Sequence, residues 1–483
     1  MPSFKDFDKN DYIFLLCLFL MRISLGFFAT VIGITLLDLA QNAGVNQKEM
    51  SPIVTAKSLG SMIGAIFISI YQHYLPFEND SATDQFTTAI GFKNKLFDRS
   101  TIMGITQFFG LFFCLLVPLA DSVLKIVILI IFTGILYGIV DIGCMAMVVD
   151  TWGNQLAGSM VQLYSFGWVI GSFVGPFLFA PFQEVSDDSD ICNVTASDAT
   201  IVYLNIANSE TEESQLPSVF WPWFITGLSF AIQSMGLIYA GISNLRRNLK
   251  QKYVEISRNS INNQQDQQQK SYPNYPFFRY DLYILLSVYF LYFTFGSSGH
   301  LYFEYVYSYA VCIRKFSNTL AASLNSAYFA AQAVARLLSV VLAVYIDSKW
   351  MLIIFGIAEA LSAILIFLVR GTDQATKNLN DILFFVGTCL LGFASSPLYG
   401  AGVAVSQNYL NMTRIYQCLF ALGNYSGQLA FLGLGGDLVI EQPNKWLALS
   451  AINNLMVCGA IFVLVFGGRW LQKFVGKKYQ NIE

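Results

Sequence analysis

Arg22, Lys57, Asp141, Arg336 and Glu359 each stand inside an otherwise apolar run of the sequence. A charge in the middle of a lipid-embedded segment costs about 2.5–3.5 kcal/mol on insertion scales, so such groups pair, face a watery hollow, or bind ions and polar solutes. The stretch "GIVDIGCMAMVVDTWG" (138–153) carries two of them, Asp141 within the run and Asp150 near its end. Depth identifies a partner for the first. Asp141 lies roughly 13 Å from the inner end of its run at 1.5 Å per residue, and Arg22 roughly 15 Å from the same side. The matched levels predict that Arg22 and Asp141 meet. Such a pair either fixes helix packing or offers a carboxylate for which a cation or solute competes.

Other side chains suggest related chemistry. Arg336 and Glu359 sit at matching depths in consecutive runs, so a structural pair and an ion-coupling pair both stand open. Lys57, near the outer end of its run, is expected to snorkel or to meet Asp38. Asn325, Gln332 and Arg336 follow at steps of seven and four, which puts them on one helical face. Asn424 and Gln428 lie one turn apart, and Gln162, Trp168 and Trp152 add an amide and ring faces. His300 and Glu304, one turn apart near an outer end, suit a gate or a proton-linked pair. Amides and aromatic rings together match a polyhydroxylated solute. Each amide taken alone is also explained by an interhelical hydrogen bond worth about 0.6 kcal/mol.

The elements that position these groups follow from composition. The 483 residues are 55% hydrophobic and 12% charged, against roughly 25% charged in ordinary soluble domains. Runs of about 20 apolar residues span a bilayer, and twelve are present: 12–40, 51–71, 101–121, 123–150, 160–182, 218–243, 280–312, 318–346, 350–370, 381–409, 415–440 and 446–470. The expected fold is all-α and membrane-spanning. A net charge of −3 excludes a basic nucleic-acid surface. No phosphate loop, metal-ligand cluster or Ser/His/Asp arrangement is visible, so neither an enzyme, a metal nor a resident cofactor is expected. The eight cysteines lack CxxC spacing; a bridge between Cys192 and Cys312 stays open.

Six runs precede the polar stretch 244–279 and six follow it. The expected organisation is an N-terminal bundle (1–243), a cytoplasmic linker (244–279) rich in Gln, Asn and charge, and a C-terminal bundle (280–483). Both termini are expected in the cytoplasm, since that orientation places about two-thirds of the 28 Lys and Arg residues inside. The acidic loop 183–217 then lies outside, and its sequon at Asn193 is expected to be glycosylated. The first run is too long for a cleavable signal peptide and reads as the first span. This organisation resembles the major facilitator superfamily, whose halves rock about a site near the bilayer midplane. "LFDRS" (96–100), with Asp98 and Arg99, and "YIDSK" (345–349) resemble its acidic-basic loop motif, and Gly167, Gly171, Gly175 and Pro176 mark close helix packing or a gate.

Within the superfamily, "GIVDIGCMAMVVDTWG" resembles the fourth helix of the sodium-dependent glucose transporter 1 group, also called major facilitator superfamily domain-containing protein 4, near the fucose permeases. "IGITLLDLAQ" (33–42), "YVYSYA" (305–310), "LNSAYFAAQAVAR" (324–336) and "GAGVAVSQNYLNMT" (400–413) are similar to its first, seventh, eighth and tenth helices. The departures are specific. The family's Asp-Thr-Gly-Gly-Asn reads Asp141, Ile142, Gly143, Cys144, Met145, its fifth-helix His falls at Ser165, and its seventh-helix acid falls at Gly299.

The resemblance implies a monomeric, multi-pass carrier of a small polar solute, a hexose such as glucose, moved by alternating access with co-transported sodium or protons in a plasma membrane or endomembrane. It also implies that Arg22 and Asp141 face a central cavity; Asp150, at the interface where water reaches it, is expected to steady the cytoplasmic gate. A proton-coupled carrier of another organic solute and a non-transporting sensor with the same fold are the competing readings.

Overall fold

The computed structural model describes residues 9–74, 99–183, 216–259, 278–369, 377–407 and 414–468. These form α1 (Lys9–Asn42), α2 (Gln47–Tyr74), α3 (Arg99–Leu116), α4 (Val123–Phe179), α5 (Phe220–Asn259), α6 (Phe278–Phe303), α7 (Val306–Cys312), α8 (Asn318–Tyr345), α9 (Ser348–Leu368), α10 (Lys377–Gln407), α11 (Arg414–Glu441) and α12 (Pro443–Phe462). Local chemistry sets the ends. Gly44 terminates α1 at φ 63°, with the Val45 N–H donating back to the Ala40 carbonyl at 3.1 Å, a left-handed stop that glycine adopts without strain. Pro118 converts the end of α3 to a 3₁₀ turn before the chain extends at Ala120. Ser317 and Asp347 cap α8 and α9 by accepting from the Leu320 and Lys349 amides at 3.3 and 3.2 Å.

Eleven of the described stretches are long and apolar enough to cross a membrane. The remaining expected span is α11, whose hydropathy is diluted by Asn424, Gln428 and several glycines. On α8, Val334, Leu337 and Val341 are exposed while Asn325, Gln332 and Arg336 are buried. That inverted pattern, polar inside and apolar outside, is the one lipid imposes.

The structure differs from expectation at the fourth and fifth spans. Every residue from Val123 to Phe179 is helical, yet Arg22 touches both Asp141 and Tyr164. In a straight helix those two residues would lie on the order of 35 Å apart. The helical path therefore doubles back, leaving two antiparallel limbs, 123–148 and 162–182, each able to cross. The first limb packs on α2 and the second on α1. A Cβ at Gly171 would collide with the Ile23 carbonyl oxygen, so the backbones meet only because the side chain is absent. Gly175 sits against Thr30 in the same seam, and Pro176 lies in the last turn of α4.

The seventh span is also discontinuous. Regular helix stops at Phe303 and resumes at Val306, with Tyr305 N–H turning to the Tyr302 carbonyl at 3.3 Å. α5 continues beyond residue 243 as far as Asn259. The two halves, α1–α5 and α6–α12, meet along α2 with α11 and along the second limb of α4 with α8.

Candidate functional site

Between the halves lies a cavity of about 890 Å³, its open mouth included. Both halves supply its wall: Arg22, Lys57, Tyr137, Asp141 and Trp168 from the first, and His300, Gln332, Arg336, Asn424, Tyr425 and Gln428 from the second.

Arg22 and Asp141 form an ion pair at the centre of this wall. Arg22 lies over the Tyr164 ring at 4.9 Å, a cation–π contact. From the opposite half, the Tyr425 hydroxyl donates to Asp141 Oδ2 at 2.6 Å. Asp141 is thus stabilised by a guanidinium from its own half and a phenol from the other, which answers why a carboxylate is tolerated in that run. Asp150 lies on α4, beyond the part whose side chains are described, as does Trp152.

A second ion pair corrects the reading of Lys57. It does not reach an interface: the side chain is buried and pairs with Glu304 of the other half. His300 Nδ1 stands 3.6 Å from the same Glu304 oxygen. Glu304 occupies the break in the seventh span, where the chain leaves regular helix. Irregular backbone at membrane depth is tolerated where protein or a hydrated cavity surrounds it.

The Arg336–Glu359 pair is likewise corrected. Arg336 donates from Nε to the Ser396 hydroxyl at 3.3 Å and from Nη2 to the Ser396 carbonyl at 3.2 Å. Glu359 instead contacts the Ser298 hydroxyl of α6 at 3.3 Å. Equal depth places two residues on one level but leaves their azimuths free, and these two point to different neighbours.

The amides divide. Gln332 donates to Ser395 at 3.0 Å, and Gln428 accepts from Ser58 across the halves at 3.1 Å; both lie on the cavity wall, as do Asn424 and Trp168. Trp168 meets Phe329 edge-on at 5.6 Å. Asn325 is buried off the wall, its amide atoms without a hydrogen-bond partner among the described residues. Gln162 also stands off the wall, against Gly400 of α10, and so is corrected from solute contact to a contact between the halves. Tyr425, Tyr137, Tyr328 and Tyr399 escaped sequence reasoning, although Tyr425 adjoins the polar pair Asn424 and Gln428. Asp98, Asn193 and Cys192 lie outside the described residues; Arg99 opens α3, and Cys312 is disulfide-bonded.

Near the end of the molecule where α1 meets α2, further contacts join the halves. Lys48 pairs with Glu441 at 3.0 Å, and the Ser51 hydroxyl donates to the Gly433 carbonyl at 2.9 Å. Nearer the opposite end, the Tyr399 hydroxyl lies 3.7 Å from the Met145 sulfur.

No protein-family model matches the sequence. The chain is 22% identical over 433 residues to the mouse sodium-dependent glucose transporter 1A, covering 87% of this chain and 88% of that protein. It is 23% identical to the Xenopus laevis sodium-dependent glucose transporter 1, over 86% and 73% of the two chains. Among solved structures it is similar to the E. coli xylose transporter XylE in a partially occluded inward-open conformation, at TM-score 0.60 and 14% identity over 94% of this chain and 98% of that one. A D-xylose–proton symporter gives TM-score 0.62 at 13% identity over 95% and 98%. A bacterial homologue of the human lysosomal transporter Spinster gives 0.56 at 12% over 96% of each. The chain has the major facilitator fold, is a multi-pass membrane protein, and resembles the sodium-dependent glucose transporter 1 group, a group named for transport.

Proposed function

We propose that this protein is a secondary active transporter that carries a small polyhydroxylated solute of the hexose type by alternating access, driven by sodium or protons. The observation that carries the reading is the Arg22–Asp141–Tyr425 bridge, which places an ionised pair and a cross-half hydrogen bond in one cavity. A cation or solute hydroxyl that takes the free electron pairs of Asp141 competes with Tyr425 and weakens a link between the halves. Binding thereby acts on the equilibrium between conformations through its differential affinity.

The remaining wall suits the cargo. Gln332, Gln428 and Asn424 offer donors and acceptors, and Trp168 offers a ring face. Opening toward the Lys48–Glu441 end requires parting that pair, the Ser51 bond and the Lys57–Glu304 pair. In this reading both termini and the 244–279 linker lie in the cytoplasm, and Arg22 and Asp141 carry coupling. The names of the relatives support a sugar as cargo, and the sodium and the proton in those names leave two driving ions in contention.

The test is uptake by the purified full-length protein in liposomes, with a panel of sugars, nucleosides and organic anions under separate sodium and proton gradients. Accumulation of a polyhydroxylated solute driven by one of the gradients is expected. Ligand binding with no flux under either gradient contradicts transport and leaves a sensor.

A further inference from the structure

We propose that the solute accepted by the cavity is a monoanion, a polyhydroxylated acid bearing one carboxylate that binds Arg336. The inference rests on the carrier reading and specifies its substrate class. Among the described residues four basic side chains reach the cavity wall, Arg22, Lys57, His300 and Arg336, against one carboxylate, Asp141. Asp141 answers Arg22, and Glu304, just behind the wall, answers Lys57. Arg336 has no ion-pair partner among the described residues. Its hydrogen bonds go to the hydroxyl and carbonyl of Ser396, both neutral. Glu359, the carboxylate at its depth, is directed to Ser298 instead.

A buried guanidinium served only by neutral acceptors is an unbalanced charge in a medium that penalises it. A carboxylate entering the cavity supplies the missing partner, and the planar fork of arginine holds its two oxygens in parallel bonds. With Glu304 counted against Lys57 and the His300 imidazole neutral, its ordinary form at pH 7, the surplus is a single positive charge at Arg336, so one negative charge restores balance and a phosphate dianion overshoots it. Gln332, one turn from Arg336 on the same face, and Gln428 across the cavity remain for the hydroxyls.

The experiment uses full-length protein with D-glucuronate, D-glucose and D-glucose 6-phosphate, measuring binding by tryptophan fluorescence and exchange in liposomes. Glucuronate is expected to bind about tenfold or more tightly than the other two, the size of a charge-assisted contact. Arg336→Gln should abolish that preference. Arg336→Lys, which keeps the charge but loses the fork, should weaken glucuronate several-fold and by more than it weakens glucose; this comparison decides if the glutamine variant does not fold. Equal or tighter glucose binding, a preference for the phosphate, or a glucuronate preference indifferent to both variants overturns the inference. Glucose exchange without glucuronate preference contradicts only the inference. Arg336-dependent glucuronate binding without exchange contradicts only the carrier reading, and absence of both binding and exchange contradicts both.

Discussion

The Tyr425 hydroxyl of one half donates to Asp141 of the other at 2.6 Å, on a carboxylate already paired with Arg22 of its own half. A single side chain thus reports on both the charge state of the cavity and the closeness of the halves. Removal of the hydroxyl in Tyr425→Phe leaves the Arg22–Asp141 pair but loses a charge-assisted bond worth about 1.5–3 kcal/mol. The expected outcome is a shift toward conformations in which the halves are parted at this level, seen as faster thiol labelling of a cysteine placed at Gln428. Unchanged labelling would contradict a role for this bond in holding the halves.

Lys57 and Glu304 are both buried and belong to different halves. Lys57→Met strands Glu304 and is expected to destabilise the protein by about 3–5 kcal/mol, the cost of breaking a buried pair. The double variant Lys57→Met/Glu304→Gln should recover most of that loss. Thermal unfolding in detergent measures both, and additive losses would mean that the two groups are not coupled.

The seam between α1 and the second limb of α4 depends on the absence of a side chain at Gly171. Gly171→Val must push the backbones apart and is expected to cost about 1–3 kcal/mol as overpacking. A fall in monodisperse protein on size-exclusion chromatography and a lower unfolding temperature are the readouts. The more exposed Gly459, with nothing near its Cβ position, should tolerate alanine.

Lys48 and Glu441 join the halves at one end of the molecule, at 3.0 Å and partly exposed. As a surface pair it contributes about 0–1 kcal/mol to stability, so its replacement by two cysteines should leave the fold intact. A cleavable bis-thiol reagent that bridges them should then abolish uptake, and its cleavage should restore it. Uptake that persists when the link is complete contradicts opening at this end.

The spans were legible in the sequence because lipid demands long apolar runs, and α11 alone among the long helices has hydropathy diluted enough to blur the signal. The Arg22–Asp141 contact was legible because depth along a span is countable and the two spans are neighbours. Depth failed for Arg336 and Glu359 because a level fixes height but not azimuth. Lys57 was misread because its partner lies in the other half, at a helix break that hydropathy does not mark. The tyrosines of the wall were missed because a phenol looks apolar in a composition count, yet Tyr425 supplies a hydrogen bond that no charged residue makes. The doubling back of α4 was expected as two spans, but the absence of a non-helical residue between them was not, since Gly153 and Gly158 stand in the connection.

The most direct test of the account compares wild-type protein and Asp141→Asn in liposomes, measuring solute accumulation under an imposed sodium or proton gradient and solute exchange without one. The account predicts that the variant reaches the membrane and retains exchange while losing gradient-driven accumulation. Gradient dependence identical to that of the wild type would contradict it.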